Sequence, residues 1–227
     1  MTTPTSATPL KNCLAIITIG DQDSTTAVTL AIVRSLAAQS PAPVTLIEDP
    51  RSQTFLENRL QLDSDFSWQD LNGVQGQLNP ISVAAKLPHW NGVAVLSNRV
   101  GGAANSPQTS TDLQQAAHAL TKLGPVIIQA HPSSISEILP YCGQILVCLD
   151  LAGINLPVLD HCNWILNSGP GNYAILALRP RLRFWAHTSK ENLKDSTSLP
   201  VIATLPRNFS ARHFQKEWPK IQNFIRH

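Results

Sequence analysis

The sequence predicts a doubly wound α/β domain, a mostly parallel sheet with helices on both faces. Three observations predict it. Short apolar runs rich in β-branched residues alternate along the chain with amphipathic stretches, the pattern of strand-helix-strand units. Those runs are apolar throughout, as strands buried on both sides must be. Hydrophobic residues make up 43% of 227, enough for a full-sized core and too many for a disordered chain.

The first run, Cys13-Leu-Ala-Ile-Ile-Thr-Ile19, reads as a buried strand ending at Gly20. Ala27–Ala38 steps Val28, Ala31, Ile32 and Leu36 along one helical face, with Asp23 or Ser24 as its N-cap. Ser40-Pro-Ala-Pro43 stops that helix, and Val44–Ile47 is the second strand, closed by Glu48-Asp-Pro50. Gly92–Ser97, Pro125–Ile128, Ile145–Leu149, Tyr173–Leu178 and Val201–Thr204 read as further strands. Helices are expected at Thr111–Leu123, Ser133–Leu139 and Val158–Leu166, and short ones at Phe66–Leu71 and Ile81–Leu87. Residues 1–11 read as a flexible tail and 12–227 as one domain.

Composition narrows the function. Seventeen basic and fifteen acidic residues give a net charge of +2, which defines no nucleic-acid stripe. Apolar runs are far shorter than a membrane span, and Met1–Leu10 lacks the apolar centre of a signal peptide, so a cytoplasmic protein is expected. Cys13, Cys142, Cys148 and Cys162 show no CxxC spacing and read as reduced thiols. Cys162 follows Asp160 and His161, but adjacent residues rarely face one another, so no Cys-His nucleophile is inferred.

In a parallel sheet ligands bind beyond the carboxyl ends of the strands, which directs attention to the first strand-helix turn. It reads Gly20-Asp-Gln-Asp-Ser-Thr-Thr26: one glycine, a Ser-Thr-Thr helix start and no lysine. Phosphate loops need that lysine to neutralise the β/γ charge. Asp21 and Asp23 instead complement the helix dipole themselves.

The order of this turn, Ser24-Thr-Thr-Ala-Val-Thr-Leu-Ala31 and Val44-Thr-Leu-Ile-Glu-Asp-Pro50 resembles the MinD/ParA superfamily of deviant Walker ATPases, whose helix is of the type TTxAxxLA. Pro125-Val-Ile-Ile-Gln-Ala-His-Pro132 resembles the family's Walker B strand, and Leu199–Arg207 its late LPVLATIPRD segment. Phe66–Leu71, Gly76–Pro80, Leu87-Pro88 and Gly92–Ser97 are similar to the CpaE/TadZ-like, septum-site-determining subgroup. The likeness runs over residues 13–210. It implies a P-loop NTPase-like fold and, at a degenerate cofactor-binding loop, Gly20, Ser24 and Thr25.

Both loop lysines of the family are missing, and Gln129 stands where the Walker B aspartate is expected. An amide cannot supply the anionic hold on magnesium-bound water. The resemblance therefore implies a pseudo-ATPase with no catalytic residue, no metal and no cofactor. It would localise or scaffold a Flp/Tad-type pilus secretion assembly or septum placement, as a homodimer bound to a secretion ATPase or division proteins. Peripheral placement at the inner face of the cell membrane, pole or septum goes with that role. The alternative is an ATP/Mg-binding switch with residual ATPase activity, using Ser24, Thr25 and the backbone of Gly20–Thr26, with Arg99, on a loop expected to overhang the site, the first basic residue to mutate for the missing cation.

Remaining features read more simply. Ser168-Gly-Pro-Gly-Asn172 is a turn, and His131 a hydrogen-bonded histidine. Arg179, Arg181 and Arg183 beside Phe184 and Trp185 make too thin a footprint for nucleic acid. Phe214, Trp218, Ile221 and Phe224 or Ile225 form an apolar face that packs on the domain's own core or holds a membrane, with Pro219 expected to split the helix.

Overall fold

The computed structural model describes residues 10–52, 54–63, 65–71, 77–99, 110–151, 160, 172–179 and 199–226. Its strands are β1 (Leu10–Ile19), β2 (Thr45–Glu48), β3 (His89–Trp90), β4 (Val93–Leu96), β5 (Val126–Ala130), β6 (Cys142–Asp150), β7 (Asn172–Arg179) and β8 (Val201–Pro206). Helices are α1 (Gln22–Ala37), α2 (Leu56–Leu60), α3 (Pro80–Ala84), α4 (Ser110–Leu120), α5 (Ile135–Ile138) and α6 (Ala211–Arg226). One eight-stranded sheet runs β3-β4-β2-β5-β1-β6-β7-β8. Every pairing is parallel except β3 with β4. The α/β, doubly wound expectation is met. Of the expected helix at 158–166 only Asp160 is among the described residues; Cys162, the Ser168–Gly171 turn and Arg181–Trp185 lie outside them.

The uniformly apolar strands sort their residues by parity onto two cores. Ala15, Ile17 and Ile19 of β1 join Ile47, Leu96, Ile128, Val147 and Leu149 under α4 and α5, which contribute Leu113, Ala117, Leu120, Ile135 and Ile138. Leu14 and Ile16 join Leu46, Val95, Ile127, Leu146 and Leu176 on the opposite face, against Val28, Ile32 and Val33 of α1. Burying each such side chain contributes about 1.5–3 kcal/mol, so covering both faces is what fixes the layered arrangement. Cys13 and Cys142 meet in this interior with their Sγ atoms 3.0 Å apart, and both are free thiols, as is buried Cys148.

Several boundaries differ from expectation for local reasons. β1 reaches back to Leu10, assigned above to the tail, because the Leu10 N–H donates to Tyr141 O at 2.8 Å. α1 starts at Gln22 rather than Ala27, with Asp21 and neither Asp23 nor Ser24 as its cap. Ser133–Leu139 is a 3-10 turn, Pro132–Ser134, followed by the single turn of α5. The hairpin β3–β4 is new, formed by Asn91 (φ 50°) and Gly92 (φ 81°). Positive φ at both central residues is the turn that suits strand twist.

Pro219 does not divide α6, which is continuous across it. The proline is exposed, so the carbonyl it leaves without a donor meets water. On the inner side Phe214, Trp218, Ile221 and Phe224 are buried in the second core. Phe214 and Trp218 stack with ring centroids 5.6 Å apart. Of the two expectations for this face, core packing is the one met; the apolar stripe is not presented to a bilayer. No described helix is long and apolar enough to cross a membrane.

Candidate functional site

The chain runs from β1 toward one edge of the sheet, returns to place β5 beside β1, and then builds β6, β7 and β8 toward the other. The crevice where connections diverge in such a sheet lies at the carboxyl ends of its central strands. The turn Gly20–Thr26 and the end of β5 meet there.

Gly20 has φ +103°, a left-handed conformation that favours glycine. A Cβ at this position would stand 2.8 Å from Asp150 Cβ, so the close approach of β1 and β6 ends also requires it. The chain then turns at once into α1. Asp21 caps the helix: its Oδ2 accepts the Ser24 N–H at 2.9 Å and the Ser24 hydroxyl at 2.6 Å. The Ser24 hydroxyl, seconded by the Ser24 N–H and by Arg207, holds the Asp21 carboxyl below its ordinary pKa.

Arg207 arrives from the end of β8, four strands along the sheet order from β1 when both ends are counted. Its Nη2 lies 3.2 Å from Asp21 Oδ2 and its Nε 3.3 Å from Asp150 Oδ2. The same Nε donates to Ser24 Oγ at 3.2 Å. One guanidinium thus ties together the turn after β1, the end of β6 and the loop after β8. Asp23, the other acid of the turn, points outward and pairs with Arg59 of α2 at 2.6 Å.

Gly20, Ser24 and Thr25 stand in this one turn, and the structure shows how the groups of Thr25 and its neighbour Thr26 are used. Thr25 is fully buried and its hydroxyl donates back to Asp21 O at 2.9 Å and Gln22 O at 3.1 Å. Gln129 is fully buried in β5, and its Nε2 donates to Thr26 Oγ1 at 2.8 Å. Its Oε1 is buried beside that turn with no hydrogen-bond partner among the described residues. No three His, Cys, Asp or Glu side chains converge as metal ligands among the described residues.

The neighbouring acids are structural. Glu48, fully buried, accepts the Thr54 hydroxyl, the Leu56 N–H at 3.2 Å and the Asn98 N–H at 3.0 Å. Burial raises its pKa against the opposing pull of those hydrogen bonds. Asp49 accepts the Arg51 and His131 N–H groups, each at 2.9 Å. His131 itself caps a 3-10 turn, its Nδ1 2.8 Å from Ser133 Oγ, in line with the hydrogen-bonded histidine expected.

Arg99 does not serve the turn. It reaches Asp65 O at 2.5 Å and pairs with Asp70 at 3.6 Å. The cation on Asp21 and Ser24 is Arg207, which sequence reasoning noted only as the last residue of a late segment. Its position immediately after a strand was the available signal, because parallel strands all end on the same rim.

The lowered Asp21 pKa gives a stability prediction. A folded value below the ordinary one means stabilisation fully present above the ordinary carboxylate pKa and lost as pH falls through the folded value. Wild type is expected to exceed Asp21→Asn by about 1 kcal/mol at pH 7, since Asn keeps the cap but not the charge. Urea midpoints measured from pH 7 downward should converge once Asp21 protonates.

No protein-family profile and no curated protein matches the sequence. Solved structures do match the fold. A ParA family ATPase from Chlorobium tepidum TLS superposes with a TM-score of 0.67 at 10% identity, over 95% of this chain and 92% of that one. A chain of the MinC:MinD cell division protein complex of Aquifex aeolicus gives 0.63 at 16%, over 94% of this chain and 84% of that one. Cobyrinic acid a,c-diamide synthase from Mycobacterium smegmatis, with bound ATP analog and magnesium, gives 0.62 at 20%, over 90% and 92%. The chain has the fold of the ParA/MinD-type P-loop ATPases.

Proposed function

We propose that this chain is a non-catalytic localisation or scaffold protein of the CpaE/TadZ-like, septum-site-determining kind. It would serve a Flp/Tad-type pilus secretion assembly or septum placement. The observation that carries this reading is the Gln129–Thr26 hydrogen bond at 2.8 Å. A neutral amide occupies the strand position where the resemblance expects a carboxylate, and it is joined to the helix turn that would face a metal. The residues present do not fit a magnesium triphosphate. The turn has no lysine, Thr25 is spent on backbone carbonyls, and Asp21 sets negative charge at the start of α1.

Support for a spatial role comes from the fold shared with partition and cell division ATPases, one of them solved with a protein partner. On this reading the chain works as a homodimer through protein surfaces, with a secretion ATPase or division proteins as partners, at the pole, septum or inner membrane face. Calorimetric titration with ATP and with ADP, each with magnesium, tests it. No heat and no thermal stabilisation are expected. Micromolar binding would overturn the proposal in favour of an ATP-binding switch.

A further inference from the structure

A nucleotide-binding turn presents helix N–H groups and a cation to a phosphate supplied from outside. Here both charges come from the chain. The Asp21 carboxylate takes the N–H and hydroxyl of Ser24, and Arg207 lies 3.2 Å from the same oxygen. Arg207 is half-exposed, with 37% of its side chain open to solvent, so its placement is set by these contacts rather than by enclosure. Its second anchor, Asp150, is 1% exposed and holds the guanidinium over the turn from the β6 side. Behind the turn, in β5, the buried Gln129 donates its Nε2 to Thr26 Oγ1 at 2.8 Å, so this helix start is held from within on that side too.

We propose that the chain carries a built-in substitute for phosphate: Asp21 is the anion and Arg207 the cation of a self-occupied anion site. The turn after β1, the end of β6 and the loop after β8 are then held in one arrangement with no diffusible ligand. A partner that docks on this rim meets a permanently set shape. The inference rests on the reading that the chain does not bind nucleotide, and deepens it by naming what fills the position.

The arrangement makes a gain-of-binding prediction. Asp21→Asn keeps an N-cap but removes one of the two carboxylates on Arg207, opening its Nη2 edge and the first N–H groups of α1 to an external anion while Asp150 still holds Nε. The probe is pyrophosphate without magnesium, titrated into the full chain at constant ionic strength and read by calorimetry and thermal shift. Asp21→Ser, another good cap, serves as the second variant should Asp21→Asn fold poorly.

Asp21→Asn is expected to bind pyrophosphate at least tenfold more tightly than wild type, a difference of about 1.4 kcal/mol. Adding Arg207→Gln should abolish the gain. Equal binding by wild type and both capped variants, or a gain that survives Arg207→Gln, would overturn the inference while leaving the no-nucleotide reading intact. Binding of ATP with magnesium by wild type would instead remove the reading on which the inference rests.

Discussion

Glu48→Ala is expected to lower stability by about 3 kcal/mol, because it orphans two buried backbone donors at once. The Leu56 and Asn98 N–H groups both point at Glu48 Oε2, at 3.2 and 3.0 Å, and the Thr54 hydroxyl points at Oε1. Those bonds fold the segment after β2 back over the strand end and join it to the chain leaving β4. Trp68 completes the arrangement by donating its indole N–H to Glu48 O at 2.7 Å. Urea denaturation followed by tryptophan fluorescence would measure the loss.

Glu48→Gln should recover most of it. An amide oxygen in the Oε2 position still accepts both N–H groups. The amide nitrogen then faces Thr54 Oγ1, a hydroxyl that can reverse its role and accept. The pH response separates the variants further. Burial raises the Glu48 pKa, so its ionisation costs stability as pH rises from the ordinary carboxylate value through the folded one. Glu48→Gln removes that slope. A Glu48→Gln protein as unstable as Glu48→Ala would show that the two buried N–H groups are not what Glu48 serves.

Arg207→Ala is the second large effect, expected at about 2 kcal/mol, or a melting temperature lower by about 4–8 °C for a chain of this size. The guanidinium is half-exposed, which screens its pair with Asp21, but Asp150 is buried and loses this cation. Arg59→Ala provides the contrast. Arg59 pairs with Asp23, whose side chain is 83% exposed, and its removal should cost under about 0.5 kcal/mol. Arg207→Lys should recover only part of the loss, since an ammonium cannot span Asp21, Ser24 and Asp150 with a planar fork. Thermal unfolding of the three variants side by side checks the order, and equal losses for Arg59→Ala and Arg207→Ala would sink it.

The parallel strands were legible because each is a short, uniformly apolar run, and burial on both faces leaves that mark regardless of partners. The acidic turn was legible too: Asp21 and Asp23 stand out by charge in a chain of few charges, and Asp21 does sit at the helix start. The Asn91-Gly92 pair was also written plainly, but the two-residue strand before it is too short for periodicity to reveal. Pro219 misled because local chemistry forbids a helical donor, whereas the outcome was decided by four aromatic and aliphatic side chains packing on the sheet. Arg207 was hidden for a different reason. It meets Ser24 across 183 residues of sequence, and nothing local to either residue records that meeting.

The hairpin at Asn91-Gly92 has a consequence for how this molecule behaves in a crowded solution. A parallel sheet that ended on β4 would present a row of open N–H and C=O groups, a template for recruiting another chain. Here β3 covers part of that row with two residues, His89 exposed and Trp90 half-buried against the core, and Pro88 O accepts the Val95 N–H at 2.9 Å. An edge strand of two residues gives strand-by-strand growth little backbone to start from on this side. Contacts on that flank then depend more on side chains than on backbone, and fibre formation has a poorer starting point there.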